Sequence, residues 1–210
     1  DGAFNVVHAD GASTFSGLEQ ALEAGLVDKV GFTGSSAVGR EIGGLTGRYL
    51  QTACLELGGK NPLLVTPSAD LDLAVEGALF SGFGTAGQRC TSLGTVIVRQ
   101  SVHDQFLAKF NAAVASARVG DPAQDVLMGP MLDAKFAERF EELLGWVQPH
   151  HAVQGTYGKI AKDNPREGFV GDPSTGLYYH PMVVDGVRPG DRIFMEETFG
   201  PIVGVTTYQS

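Results

Sequence analysis

Hydrophobic positions along the chain fall into short runs whose period changes, and each change marks an element. Phe4–Val7 is a brief β-prone run that gives way to a polar turn at Asp10-Gly11-Ala12. Ser16 and Glu19 have the spacing of a capping box, in which each side chain satisfies a free backbone N–H. They predict a helix reaching about Ala24, with Gly25 as its stop. Val27–Phe32 reads as a strand, Thr33–Ser36 as a tight turn into a helix ending near Gly47, and Thr52–Leu57 as a second strand closed by Gly58-Gly59. Strand, helix and strand in that order predict a βαβ unit with parallel pairing.

Asn61-Pro62 interrupts the pattern before a further apolar strand, Leu63–Val65. In Asp70–Phe83 the residues Leu71, Val75, Leu79 and Phe83 recur every fourth position, one face of a helix. Thr95–Arg99 is strand-like. A helix opening near Ser101 places Phe106, Phe110 and Val114 on one face, and Asp133–Val147 is amphipathic. From Pro149 to Pro181 glycine, proline, aspartate and histidine accumulate and the periodicity fades. Val183-Val184 and Ile193-Phe194 regain β character, and Ile202–Tyr208 ends the chain as a strand. The whole is an α/β pattern without internal repeats.

Composition changes this picture little. A chain of 210 residues with 43% hydrophobic and 19% charged residues can bury a sizeable core. Its formal net charge of -9 argues against a nucleic-acid partner or an anionic membrane surface. No apolar run approaches the roughly 18 residues of a membrane span. Two cysteines, Cys54 and Cys90, on different element types make no disulfide framework, so a reducing, cytoplasmic setting is expected. The start lacks an initiator Met and a leader pattern, and the abrupt ends read as a piece of a longer protein.

Candidate chemistry centres on Gly84-Thr85-Ala86-Gly87-Gln88-Arg89-Cys90-Thr91-Ser92. A lone cysteine among small and polar residues, just after a packed helix, can meet a substrate. Arg89 and the neighbouring hydroxyls give the electropositive setting that favours a thiolate nucleophile. The bland alternative is a small buried hydrophobe, and for Cys54, inside an apolar strand, that packing role is the expectation. Glu56 ends its strand beside a glycine pair; it reads equally as a base at the edge of a cleft or as a solvated acid paired with Lys60. Phe32-Thr33-Gly34-Ser35 lies where a strand enters a helix, a place where free N–H groups can hold phosphate, although no P-loop or GxGxxG is present. Glu197 and Phe199, ahead of a Gly-Pro turn, offer a carboxylate for sugar hydroxyls and a ring for a flat partner, or simply a charged loop with one anchor. His150, His151 and His180 show no ligand spacing, so no metal site is expected.

Taken in order, Phe32-Thr33-Gly34-Ser35, Glu56-Leu57-Gly58-Gly59-Lys60, Gly87-Gln88-Arg89-Cys90 and Glu197-Thr198-Phe199-Gly200-Pro201 resemble the aldehyde dehydrogenase superfamily. Cys90 lies 34 positions after Glu56, which also fits that family. The resemblance implies the end of a Rossmann-like cofactor-binding domain over residues 1–59, then most of an α/β catalytic domain over 60–210, incomplete at its C-terminal end. It implies Cys90 as the nucleophile that forms a thiohemiacetal and then a thioester, with its own N–H in the oxyanion hole. Glu56 would activate the hydrolytic water. Gly34, Ser35, Leu57, Glu197 and Phe199 would contact NAD or NADP, and a small aldehyde would be the substrate. The parent enzyme would be a homo-dimer or homo-tetramer.

Departures accompany the likeness. The family's side-chain oxyanion donor and its adenosine-ribose contacts lie upstream of Asp1. The 107 positions from Cys90 to Glu197 exceed the usual interval, and the excess falls in His150–Tyr179. Two further readings stay open: an inactive or merely nucleotide-binding fragment, and the branch of the superfamily in which coenzyme A takes the acyl group, against which Glu56 speaks.

Overall fold

The computed structural model describes residues 2–209 and divides the chain into two compact units, residues 1–58 and 59–210. In the first, α1 (Gly11–Glu23), β1 (Val30–Gly34), α2 (Ser36–Arg48) and β2 (Ala53–Leu57) make a small βαβ layer, with β1 and β2 parallel. Leu22, Val30, Ile42 and Leu45 form its core, with Phe15, Leu18, Phe32 and Leu55 packed around them.

Local chemistry moved several boundaries here. Asp10, not Ser16, caps α1, its carboxylate accepting the Ser13 N–H at 2.7 Å. The helix therefore starts one and a half turns early. Ser16 sits inside it, and Glu19 reaches Arg48 of α2 at 3.1 Å. Phe4–Val7 is exposed and pairs with no strand among the described residues. The turn at Gly25 and Leu26 delays β1 to Val30 and carries it through Thr33 and Gly34.

The second unit is built on a five-stranded sheet ordered β3-β4-β7-β6-β5, from β3 (Asn61–Val65), β4 (Leu93–Arg99), β5 (Ala152–Gln154), β6 (Met182–Asp185) and β7 (Ile202–Tyr208). All neighbours are parallel except β5 and β6. Pro62 lies within β3, with a register shift beside it. Its missing N–H is tolerated because β3 is an edge strand. The central β4 and β7 are buried over nearly their whole length, as strands covered on both faces must be.

Helices α3 (Leu71–Phe83), α4 (His103–Ser116), α5 (Ala134–Leu144) and α6 (Arg192–Met195) complete the unit. Asp70 and Asp133 cap α3 and α5. Phe83 stacks on Phe110 at 6.0 Å and Phe106 meets Phe110 at 5.5 Å, so the period-four stripes of α3 and α4 meet in one aromatic core. Gly145 stops α5 before Val147. Ile193 and Phe194 lie in a helical turn, not a strand, because Asp191 at its start and the Arg192–Glu196 pair across it favour that winding.

His103, at the start of α4, ties that helix to the sheet. Its Nε2 meets the Asp185 carboxylate of β6 at 2.9 Å and its Nδ1 meets Asp104 at 2.8 Å. Burial opposes protonation of the ring, but the bonds to Asp185 and Asp104 outweigh it and raise its pKa. A raised folded-state value contributes stability that is present below the unfolded pKa of about 6.5 and lost as pH climbs through the folded one. The unfolding midpoint of the chain is thus expected to fall as pH rises from about 6 towards 8. His103→Gln flattens that slope in a denaturant series run across pH; an unchanged slope in the variant would remove the link.

Candidate active site

The approach to Cys90 is a strained turn. After α3 the chain passes through Gly84–Gly87, where Thr85, Ala86 and Gly87 take φ of 55°, 55° and 67°. Left-handed backbone at a β-branched residue costs on the order of 1–3 kcal/mol and persists only where the surroundings hold it. Ala86 is buried. A Cβ on Gly87 would lie 2.2 Å from the Gly200 carbonyl oxygen, so only glycine fits and the turn is seated against the segment before β7.

Hydrogen bonds then tie the loop at Gln88, Arg89, Cys90 and Ser92. Gln88 accepts the Leu132 N–H at 2.9 Å. The Arg89 N–H donates to Ser92 Oγ at 3.2 Å, and the Ser92 N–H returns to the Arg89 carbonyl at 3.0 Å. Asn61 Nδ2, at the start of β3, donates to the Cys90 and Ser92 carbonyls at 2.7 and 2.9 Å. Cys90 itself is exposed. The expected electropositive neighbour is turned elsewhere: the Arg89 guanidinium donates to the Phe80 carbonyl at 3.3 Å and lies 5.1 Å from the Phe80 ring centre. Arg89 is therefore a tie between the loop and α3, not a charge aimed at the sulfur.

Glu197 and Phe199 share a cleft with Lys60. Glu196 is engaged by Arg192 at 2.8 Å, which leaves Glu197 as the carboxylate beside Lys60. The Lys60 stem crosses Gly94, where a Cβ would meet its Cδ at 2.5 Å, and its ammonium donates to the buried Thr198 hydroxyl at 3.3 Å. Burial pushes this amine down to about 8, with Glu197 pulling the other way. Phe199 takes a left-handed φ of 43° and packs on Phe136 at 5.6 Å. An apolar groove of about 580 Å³ runs past Gln88, Leu132, Phe136 and Phe199.

Sequence reasoning missed Asn61 and Lys60. Asn61 had shown itself only as a break in hydrophobic pattern, and Lys60 only as a neighbour for Glu56. A polar residue opening a strand just after Gly-Gly was the available signal.

In the first unit, Gly34 closes β1 and Ser35 caps α2, its hydroxyl accepting the Val38 N–H at 3.3 Å. A Cβ on Gly34 would lie 2.5 Å from the Phe32 ring. Glu56 and Leu57 end β2, paired with Thr33 and Gly34. Ala53, Leu55 and Leu57 are half-buried, and Leu57 packs tightly on Gly39 of α2, whereas Cys54 and Glu56 alternate to the exposed positions. The packing role expected for Cys54 is thereby overturned, and Glu56 does not sit in a buried edge within its unit. Strand alternation puts both on the side that α2 does not cover.

Two of the histidines form a cluster with Asp191. The reactive nitrogens of His150 and His151 and the Asp191 carboxylate lie within 4.8 Å of one another. His151 Nδ1 accepts the Gln148 N–H at 2.9 Å, which assigns its proton to Nε2, donated to Asp191 at 2.9 Å. The same carboxylate oxygen takes the Arg188 N–H at 2.7 Å and meets His150 at 3.1 Å. These bonds, that of His151 foremost, hold Asp191 well below the usual carboxylate range. With both nitrogens of His151 engaged in hydrogen bonds, the cluster is a clip on the turn before α6.

An exposed thiol on a pinned loop after a helix, in a mixed sheet of this order, defines a class that comparison then names. The sequence matches the description "Aldehyde dehydrogenase family" over residues 1–210, and the chain belongs to that family. It is 36% identical over 206 residues to a vanillin dehydrogenase of Pseudomonas fluorescens, covering 98% of this chain and 40% of that protein. Among solved structures, an NAD-dependent aldehyde dehydrogenase from Sinorhizobium meliloti matches all of this chain with a TM-score of 0.87 and 30% identity, over 39% of its own length. An Escherichia coli NADP dependent enzyme matches all of it with a TM-score of 0.85 and 31% identity, over 41% of its length. The chain thus spans about 40% of the length of the curated relatives it matches. The fold class is the expected α/β one, and no helix among the described residues is long and apolar enough to cross a membrane.

One expectation follows from Lys60. A lysine whose folded pKa is lowered binds its proton less well than the unfolded chain does, so folding gains stability as pH rises from about 8 to about 10, the unfolded value. Lys60→Met removes that rise and raises the unfolding midpoint at pH 7, read by thermal melts across pH; an unchanged profile would place the charge in solvent.

Proposed function

We propose that this chain carries the nucleophile of an enzyme that oxidises a small aldehyde to a carboxylic acid with NAD+ or NADP+. The observation that carries the reading is the exposed Cys90 on a loop tied through Asn61, Gln88, Arg89 and Ser92. Such fixing suits a thiol that must attack one carbonyl carbon repeatedly from one direction.

In this reading residues 1–59 complete a cofactor-binding domain and 60–210 form most of a catalytic one. The residues fit the cofactor. Ser35 opens a 13-residue helix whose first N–H groups suit a pyrophosphate. Gly34 and Leu57 close the paired strands beside it. Glu197 makes no ion pair within 4.0 Å among the described residues and can accept from ribose hydroxyls, with Phe199 packing near the ring. When bound, NAD(P)+ supplies the two-electron oxidant. The Cys90 thiolate forms the C–S bond to the aldehyde carbon, and the carbonyl oxygen gains negative charge that the Cys90 backbone N–H stabilises. Oxidation of that carbon leaves it joined to sulfur as a thioester. Glu56 takes a proton from water, the hydroxide adds to the thioester carbon, and the C–S bond breaks to return the thiolate and release the acid.

Glu56 favours water over coenzyme A as the acyl acceptor, and product formation without added coenzyme A tests that choice. In an enzyme completed to its relatives' length, Cys90→Ala is expected to abolish oxidation. Glu56→Gln keeps a single burst of NAD(P)H per site and then stalls, with steady turnover reduced by about 10²–10⁴. Normal turnover in either variant, assayed with an aldehyde panel and both cofactors, would sink the corresponding role. The 210-residue chain assayed alone is expected to show little turnover, since it spans about 40% of its relatives.

A further inference from the structure

Cys90 stands at a corner of a tight turn. The Ser92 N–H donates to the Arg89 carbonyl at 3.0 Å, and the Arg89 N–H returns to Ser92 Oγ at 3.2 Å. Arg89–Ser92 is thus a closed β-turn with Cys90 and Thr91 as its two central residues. Neither central residue has a positive φ. Type II and the mirror-image turns need one, so this hydrogen-bonded turn is of type I. The carbonyl and N–H of a trans peptide point in opposite directions. With its carbonyl turned in towards Ser92, the Arg89–Cys90 peptide turns the Cys90 N–H out. A type I turn winds like one turn of 3-10 helix, so the Thr91 N–H lies on the same side as that of Cys90. Neither N–H donates to a protein acceptor among the described residues.

Such a turn has one soft motion. Rotating the central Cys90–Thr91 peptide by about half a turn converts type I into type II and leaves the four Cα atoms nearly in place. The bond between Arg89 and Ser92 survives that rotation and does not resist it. The Cys90 carbonyl oxygen would then stand on the side of the free Cys90 N–H. Two features oppose the change. Thr91 would need a left-handed φ, which is costly for a β-branched residue. Asn61 Nδ2 donates to that same Cys90 carbonyl at 2.7 Å and to the Ser92 carbonyl at 2.9 Å. Strand pairing delivers Asn61 to this place, since β3 sets it opposite Leu93, the residue that follows the turn.

We propose that Asn61 is a positioning residue that locks the central peptide of the Cys90 turn and keeps a carbonyl dipole away from the oxygen of the reacting aldehyde. The role rests on the reading of Cys90 as the nucleophile. In the addition step sulfur bonds to the carbonyl carbon, and the C=O electron pair moves to an oxygen that the Cys90 N–H stabilises. A rotated Cys90 carbonyl would set partial negative charge against the new one. The thiol itself would still be presented, because the Cα and Cβ of Cys90 stay nearly in place. Loss of the lock therefore slows acyl-enzyme formation and spares thiol reactions that build no oxyanion.

The test compares Asn61→Leu, Thr91→Gly and the pair in the enzyme completed to its relatives' length. Two rates are read: the NAD(P)H burst with an aldehyde, and alkylation of Cys90 by iodoacetamide, followed on its peptide by mass spectrometry. Each single variant is expected to slow the burst about twofold, because the other restraint still holds the peptide. The pair is expected to slow it about tenfold, more than the product of the singles, with cofactor KM unchanged and alkylation within about twofold of the unaltered enzyme. Where Asn61→Leu does not fold, Asn61→Asp keeps the shape without the donors and completes the same cycle. Losses that simply multiply overturn the lock, as does alkylation that changes in step with the burst. No burst in the unaltered enzyme overturns the nucleophile reading and the lock together, an outcome seen before any substitution is made.

Discussion

The amide of one asparagine governs the geometry of the reactive loop. Asn61 stands at the first residue of an edge strand and spends both its donor hydrogens on carbonyls two residues apart, those of Cys90 and Ser92. A backbone segment held at two carbonyls with one residue between them is restrained from rotating about its own axis, which fixes the bearing of the cysteine. The left-handed turn upstream carries its strain at Thr85 and Ala86, while Gly87 takes its positive φ freely. Gly87 wedged against Gly200 closes the other side. The site is thus assembled from two ends of the chain more than a hundred residues apart, and the sheet order that places β7 beside β4 is what brings them together.

Much of this was legible from residues alone, and the reasons differ by element. The α3 and α4 stripes could be read because a helix with one buried face must repeat its apolar residues near every fourth position. The Phe106, Phe110 and Val114 face is buried as that spacing required. The four ordered motifs identified the family because each combines residue types that local folding alone would not demand. What could not be read was direction. Arg89 sits next to Cys90 in sequence, and adjacency suggested electrostatics, but the side chain turns back to Phe80. Cys54 was assigned by the hydrophobicity of its neighbours, and alternation in a strand covered on one side put it, with Glu56, on the open one.

Capping was the other source of error. Ser16 was read as the helix start and Asp10 as part of a polar turn, but the Asp10 carboxylate accepts the Ser13 N–H and begins α1 before Ser16. Ile193 and Phe194 are β-branched or aromatic and read as strand, yet a four-residue helical turn set between Asp191 and the Arg192–Glu196 pair overrides that preference. Local propensity is a weak term in so short a segment, where the turn is held by backbone bonds to the Asp191 carbonyl and by an ion pair spanning it.

Lys60 and Gly94 illustrate a different kind of dependence. The lysine stem occupies the space that a side chain at 94 would need, so filling position 94 requires the stem to shift. A smaller residue at 60 alone would leave a void beside the Thr198 hydroxyl. The two positions are therefore coupled: the effect of a substitution at 94 depends on which residue stands at 60.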